Sequence, residues 1–122
     1  AIVGGCLGIH QFVQIGYLSM IGGMTRVTRD VPPFCLAEGS PGRLRGLNKV
    51  GIKRSGLIEE KTLDFKLLLK TWLLLFKSDY VISEAVDVAM SQELDFSSTK
   101  LCKFVKESIS SNRRGPLPVA NL

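Results

Sequence analysis

Val3, Ile9, Ile15, Ile21 and Val27 stand six residues apart without a slip, and that period restricts the fold more than any other feature of the chain. Six matches neither the 3.6-residue turn of an α-helix nor the two-residue alternation of a strand. The residue after each aliphatic is Gly4, His10, Gly16, Gly22 or Thr28, so glycine takes three of the five places. Both facts fit a parallel β-helix of hexapeptides, in which each hexad supplies one short strand and its corner. The aliphatic points into the prism, a small residue is expected where the chain turns tightly, and three hexads close a coil. The competing reading is a run of Gly-rich turns whose aliphatics align by accident.

The repeat ends at Asp30-Val31-Pro32-Pro33-Phe34. Prolines cannot donate ladder hydrogen bonds, so this segment is expected to stop the stacking and lead the chain out of the prism. The composition changes with it. Eleven of the 12 glycines lie at or before Gly56, and 14 of the 16 Lys and Arg lie at or after Arg43. Residues 1–34 are thus assigned to the last coils and 35–56 to an exit loop and basic connecting segment. A helical domain is assigned to 57–111 and a flexible tail to 112–122. Phe65, Leu68, Leu69, Trp72, Leu73 and Phe76 share one helical face, leaving Leu67, Leu74 and Leu75 outside it. Ile82, Ala85, Val86, Ala89 and Met90 repeat the pattern with Ser83 as N-cap. A third helix starts near Ser97 or Ser98 and buries Leu101, Phe104, Val105 and Ile109. The fold class is therefore mixed β and α, a parallel β-helix followed by a C-terminal α-helical bundle.

The net charge of +5 implies an acidic partner without saying which. Arg43, Arg45, Lys49, Lys53 and Arg54 form a run with no acid among them, either a solvated loop and helix start or a rim that faces phosphate. Lys66, Lys70 and Lys77 form a second stripe, read as a solvated face or a docking surface. Nucleic acid is a poor partner, because no aromatics are interleaved with the cations and no recognition motif accompanies them. Cys6, Cys35 and Cys102 are odd in number with no close pair, which excludes a disulfide framework and a CxxC zinc site. One histidine cannot build a His-based metal cluster, so no metal is assigned. The apolar run from Leu63 to Phe76 is interrupted by Asp64, Lys66 and Lys70 and is too short to cross a bilayer. The cysteine usage points to a reducing compartment, the cytoplasm or alternatively a plastid or mitochondrion.

Gly8-Ile9-His10-Gln11-Phe12, Ile21-Gly22-Gly23-Met24, Asp30-Val31-Pro32-Pro33-Phe34 and the segment Gly46 to Gly56, GLNKVGIKRSG, follow one another in that order. Together they resemble the C-terminal part of the acyl-carrier-protein–UDP-N-acetylglucosamine O-acyltransferase family. The HQF and GLNxxGxKRxG segments are the specific part, and the resemblance is best over Ala1 to Phe76. It implies a homotrimer of left-handed β-helix prisms with active sites in the clefts between subunits. It also implies transfer of a 3-hydroxyacyl chain from acyl carrier protein to the 3-hydroxyl of UDP-N-acetylglucosamine in lipid A synthesis. A histidine would act as general base, because a sugar hydroxyl is a poor nucleophile until its proton is taken. No cofactor beyond the carrier protein's phosphopantetheine is implied.

Carried onto this chain, the resemblance makes His10, Gln11, Asn48 and Arg54 substrate-binding residues and Gly23 the position that limits acyl-chain length. Arg43, Arg45, Lys49 and Lys53 become contacts to phosphate or carrier protein. The family's catalytic base corresponds to a position upstream of Ala1, so no catalytic residue is assigned here, and the opening Ala1-Ile2-Val3 reads as a sequence entered midway. Val50 replaces a common carboxylate, Ser55 a second arginine and Pro41 a histidine of the exit loop. The rival functions are an inactive trimerising or carrier-protein-binding module and another hexapeptide acyltransferase that uses acetyl-CoA.

Overall fold

A computed structural model describes residues 13–110 and 114–120 in full, together with the backbone of residues 2–3 and 8–9. Three short parallel ladders follow one another along the chain. In the first, β1 (Ile2–Val3) pairs with β3 (Met20–Ile21), Ile2 opposite Met20 and Val3 opposite Ile21, eighteen residues on. In the second, β2 (Gly8–Ile9) pairs with β4 (Arg26–Val27) at the same offset. The third is a bridge between Ile15 and Val31. A return after eighteen residues is three hexads per coil, as the repeat requires.

The offset is already sixteen at the Ile15–Val31 bridge and stays sixteen where Met20 stands opposite Leu36 and Ile21 opposite Ala37 in β5 (Cys35–Glu38). The two residues are lost between Val27 and Val31, which stand four apart instead of six. Parallel stacking therefore runs past Pro32 and Pro33, correcting the expectation that they end it. The ladder bonds fall on either side of the prolines. Val31 N–H donates to Gln14 O at 2.9 Å, Gly16 N–H to Val31 O at 2.7 Å, and Phe34 N–H to Tyr17 O at 2.8 Å. The prolines occupy a corner where no N–H is needed.

The corners also work differently from expectation. Leu18 (φ 53°), Met24 (φ 62°) and Phe34 (φ 66°) are left-handed, each three residues after an aliphatic of the repeat: Ile15, Ile21 and Val31. One residue further on, the buried Ser19 and Thr25 donate their hydroxyls to Gly16 O and Gly22 O, both at 2.7 Å, closing the corner from inside. Cys35 holds the equivalent place after Phe34. The glycine after the aliphatic thus serves close approach, not the turn. A Cβ on Gly16 would overlap the backbone nitrogen of Pro33 in the next coil.

The segment 35–56, expected as an exit loop and connecting segment, contains two strands and a helix. β5 turns back through a hairpin into β6 (Arg43–Leu47), which pairs antiparallel with it, Glu38 opposite Arg43 and Cys35 opposite Leu47. Helix α1 (Lys49–Ser55) follows and ends in a left-handed Gly56 (φ 79°), the usual device for stopping a helix. Three longer helices complete the chain: α2 (Phe65–Lys77), α3 (Ile82–Met90) and α4 (Phe96–Ser108). Asp64 and Asp95 cap α2 and α4, accepting from Leu67 N–H at 3.2 Å and Ser98 N–H at 2.8 Å. Asp95 also accepts the N–H of Asp64 at 2.9 Å, tying the two helix starts together. The expected cap of α3, Ser83, lies inside the helix. Val81 precedes it without a side-chain cap.

Helix α2 is rotated from its expected face. Leu68, Thr71, Trp72 and Leu75 are buried, whereas Leu73 is 45% exposed. Leu75, which fell outside the predicted face, is core, because α2 packs on α3, α4 and β6 at once. The segment 114–120, expected to be a flexible tail, is ordered against the coil. Pro116 forms a parallel bridge with Asp30, Val119 forms one with Leu44, and Leu117 is fully buried.

Candidate functional site

Where β3, β5, β6, α1 and α2 meet, a groove of about 470 Å³ opens. Its floor is apolar, made by Met20, Leu36, Leu47, Val50, Leu69 and Trp72. Its polar members are Arg45, Asn48 and Lys49. Strand alternation explains the rim, since Leu44 turns into the core while Arg43 and Arg45 turn out on the other face of β6. The bend from β6 into α1 sets Lys49 beside Arg45.

Asn48 is the keystone of that bend. It is 4% exposed, and its side chain accepts from Gly51 N–H at 3.1 Å while donating to the carbonyl of Leu18 at 3.0 Å. Its own N–H donates to Phe34 O at 2.7 Å. One side chain therefore caps α1 and secures a left-handed corner of the coil. A Cβ on Gly51 would collide with the Asn48 amide, so the GLNxxG spacing has a local structural reason.

Of the predicted site residues, the groove gathers Asn48, Arg45 and Lys49. Lys53 and Arg54 are exposed on α1, outside the groove lining, and Arg43 turns its guanidinium onto Gly42 O at 2.8 Å. Gly23 is exposed at a corner, next to Met24. His10 and Gln11 lie outside the described residues. The cation run has an acid that linear reading missed. The hairpin carries Glu38 to within 3.9 Å of Arg45, both half exposed, so this pair adds little stability and only tempers the charge. Lys66, Lys70 and Lys77 are exposed.

Trp72 and Leu69, read from the sequence as helix core, also form groove floor, and only the packing of α2 on β6 places them there. Behind the floor, burial pushes the Cys35 thiol up to about 12, against a smaller downward pull from Trp72. The Trp72 indole N–H is itself buried with no partner in good hydrogen-bond geometry, which keeps that pull weak. Burial likewise raises Cys102 to about 11. Neither thiol is a nucleophile at neutral pH.

Among the described residues no Asp, Glu or His lines the groove, whose lining there is suited to binding. An apolar floor under two cations suits an amphiphilic anion. Among the described residues no group of three His, Cys, Asp or Glu is placed to hold a metal, and no helix is long and apolar enough to cross a membrane.

Comparison with known proteins agrees with this architecture. Residues 30–117 match the family described as UDP N-acetylglucosamine O-acyltransferase, domain 2. The acyl-[acyl-carrier-protein]–UDP-N-acetylglucosamine O-acyltransferase of Synechocystis sp. is 41% identical over 119 residues, covering 97% of this chain and 42% of its own. The enzyme of the same name from Campylobacter curvus is 37% identical over 108 residues, covering 88% of this chain and 40% of its own. Among solved structures, the UDP-N-acetylglucosamine acyltransferase of Campylobacter jejuni superposes with a TM-score of 0.79 at 30% identity, over 98% of this chain and 43% of that one. The Arabidopsis enzyme gives 0.83 at 28% identity, over 94% and 41%. The chain thus spans about 42% of the length of the first of these relatives. With its hexad register and the match over residues 30–117, the chain belongs to the UDP-N-acetylglucosamine O-acyltransferase family.

Proposed function

We propose that the chain is the C-terminal part of an acyltransferase that moves a 3-hydroxyacyl group from acyl carrier protein to the 3-hydroxyl of UDP-N-acetylglucosamine, a step of lipid A synthesis. The observation that carries the reading is the family match, which covers β6, α1 and every lining residue of the groove except Met20. The eighteen-residue ladders become the last coils of a left-handed prism, and three prisms assemble as a homotrimer. The likeness to solved acyltransferases supports that architecture.

In this reading the groove and the basic face of β6 and α1 bind rather than react. Arg43, Arg45, Lys49 and Lys53 supply a cationic rim for the phosphopantetheine arm or acidic surface of the carrier protein. Arg54, with Asn48 fixing the bend beneath it, faces the nucleotide sugar. His10 and Gln11 contact substrate, and Gly23 leaves room for a long acyl chain. The general base belongs to a more N-terminal coil, and the reaction needs no cofactor other than the donor's own arm. The compartment is the cytoplasm, or an organelle of bacterial descent.

The test is acyl transfer from 3-hydroxyacyl carrier protein to UDP-N-acetylglucosamine, run on this chain and on a version extended by the coils its relatives carry. Turnover is expected only from the extended version. An extended version that transfers acetyl from acetyl-CoA and ignores the carrier protein would overturn the reading.

A further inference from the structure

The last coil has a second coverage that no functional role explains. Asp30 N–H donates to Gly115 O at 3.3 Å, and Leu117 N–H donates to Asp30 O at 2.9 Å. Leu44 N–H then donates to Pro118 O at 2.8 Å, and Ala120 N–H to Leu44 O at 2.9 Å. Within seven residues the segment 114–120 passes from one strand edge to another, parallel to both. Leu117 is 1% exposed, and Arg29 adds a bond from Nη1 to Arg114 O at 2.8 Å. Asp30 makes both bonds of its parallel bridge, to Gly115 and Leu117, so the N–H position of the residue opposite it points away from the coil, and that residue is Pro116, which has no N–H. The segment pairs with the coil while offering no donor outward at that position.

We propose that the terminal edge at Asp30 and Leu44 is a strand-acceptor site, occupied in cis by residues 114–120, and that it takes the same segment of a second copy when the cis strand is displaced. An uncovered coil edge presents unpaired N–H and C=O groups, and an extended peptide satisfies them by strand addition. Specificity comes from the pocket that buries Leu117 and from Gly115, whose φ of 86° suits the turn onto Asp30.

The experiment uses the full chain and a labelled peptide of residues 114–120. Leu117→Asp puts a carboxylate into an apolar pocket and should release the cis strand. The peptide should bind this variant at least about tenfold more tightly than it binds the wild type, where the tethered strand competes at high effective concentration. A peptide N-methylated at Leu117 keeps the side chain, loses the bond to Asp30 O, and should bind about tenfold more weakly. Equal binding by variant and wild type, or by the two peptides, overturns the proposal. Should Leu117→Asp fail to fold, Leu117→Ala takes its place. Hydrogen exchange on the wild type decides independently, since the amides of Asp30, Leu44, Leu117 and Ala120 should be protected together. Exchange of Leu117 and Ala120 at the rate of the free peptide would sink the idea.

Discussion

Ser108, at the end of α4, donates its hydroxyl to Asp30 in the coil at 2.7 Å, both side chains buried and 78 positions apart in sequence. The other carboxylate oxygen of Asp30 accepts Gln14 N–H at 2.7 Å, so one acid joins two coils and the helical bundle. Removing a partner from a buried carboxylate costs more than the net worth of the bond. Ser108→Ala should therefore lower unfolding stability by about 1–3 kcal/mol. Asp30→Asn, which keeps an acceptor for Gln14 and a donor for Ser108, should cost less than Asp30→Ala. Urea denaturation of the three variants checks the order.

Gly16 and Gly22 hold equivalent places in successive hexads but face different neighbours. A Cβ on Gly16 runs into the Pro32–Pro33 backbone, which has no side chain able to move aside. A Cβ on Gly22 comes within 3.1 Å of the Cβ of Glu38, part of an exposed side chain on β5. Gly16→Ala should cost about 2–3 kcal/mol by overpacking and Gly22→Ala about 1 kcal/mol or less. Equal losses in thermal or chemical unfolding would show that the coil contact at Pro33 does not set the requirement.

The contrast also shows what the sequence made legible. A period of six with glycine beside the aliphatics is visible in one dimension, and it carried the eighteen-residue return of β1 on β3 and β2 on β4. The left-handed corners were hidden, because Leu18, Met24 and Phe34 are residues for which positive φ is uncommon and only a closed coil enforces it. The four-residue step from Val27 to Val31 was masked by the prolines that follow it. Leu75 and Leu73 exchanged roles because the sequence pattern gives the period of a helix, while the neighbours of α2 set its rotation. The groove was half legible. Asn48, Arg45 and Lys49 stand in a recognisable segment, but Trp72 and Glu38 join them only through tertiary packing and strand pairing. The ordered pairing of residues 114–120, within the expected tail 112–122, leaves no mark in the sequence, because an extended strap with two prolines has no periodic signature.

Asn48 and Arg54 should separate cleanly by experiment. Asn48 is buried with both ends of its amide engaged, so Asn48→Ala should cost about 1–3 kcal/mol of stability. Arg54 is exposed, and no ion pair or hydrogen bond involving it is present among the described residues, so Arg54→Ala should leave stability within about 0.5 kcal/mol. In the extended enzyme proposed above, Arg54→Ala should instead raise KM for the nucleotide sugar. Double substitution of Arg45 and Lys49 by Ala should weaken carrier-protein binding and flatten its salt dependence. Salt dependence equal to that of the wild type would remove the rim from the docking surface.

The two buried thiols make the fold less stable at alkaline pH. Cys35 rises from an ordinary value of 9.0 to about 12, and Cys102 to about 11, chiefly by burial. Below pH 9 both thiols are protonated in the folded and unfolded chain, and stability does not depend on them. Above pH 9 the unfolded chain releases their protons while the folded chain retains them, so the unfolded state binds fewer protons and stability falls as pH rises. For Cys35 the slope approaches about 1.4 kcal/mol per pH unit between pH 9 and 12. Unfolding free energies measured at pH 8, 9.5 and 11 should therefore decline more steeply for the wild type than for Cys35→Ala. The variant starts lower at pH 8, because it leaves a small cavity beneath Trp72, and the two curves converge with pH. Parallel curves would show that the Cys35 thiol ionises in the folded state as readily as in the unfolded one. A disulfide reagent at pH 8 gives the companion reading, with Cys35 and Cys102 unreactive until denaturant is added.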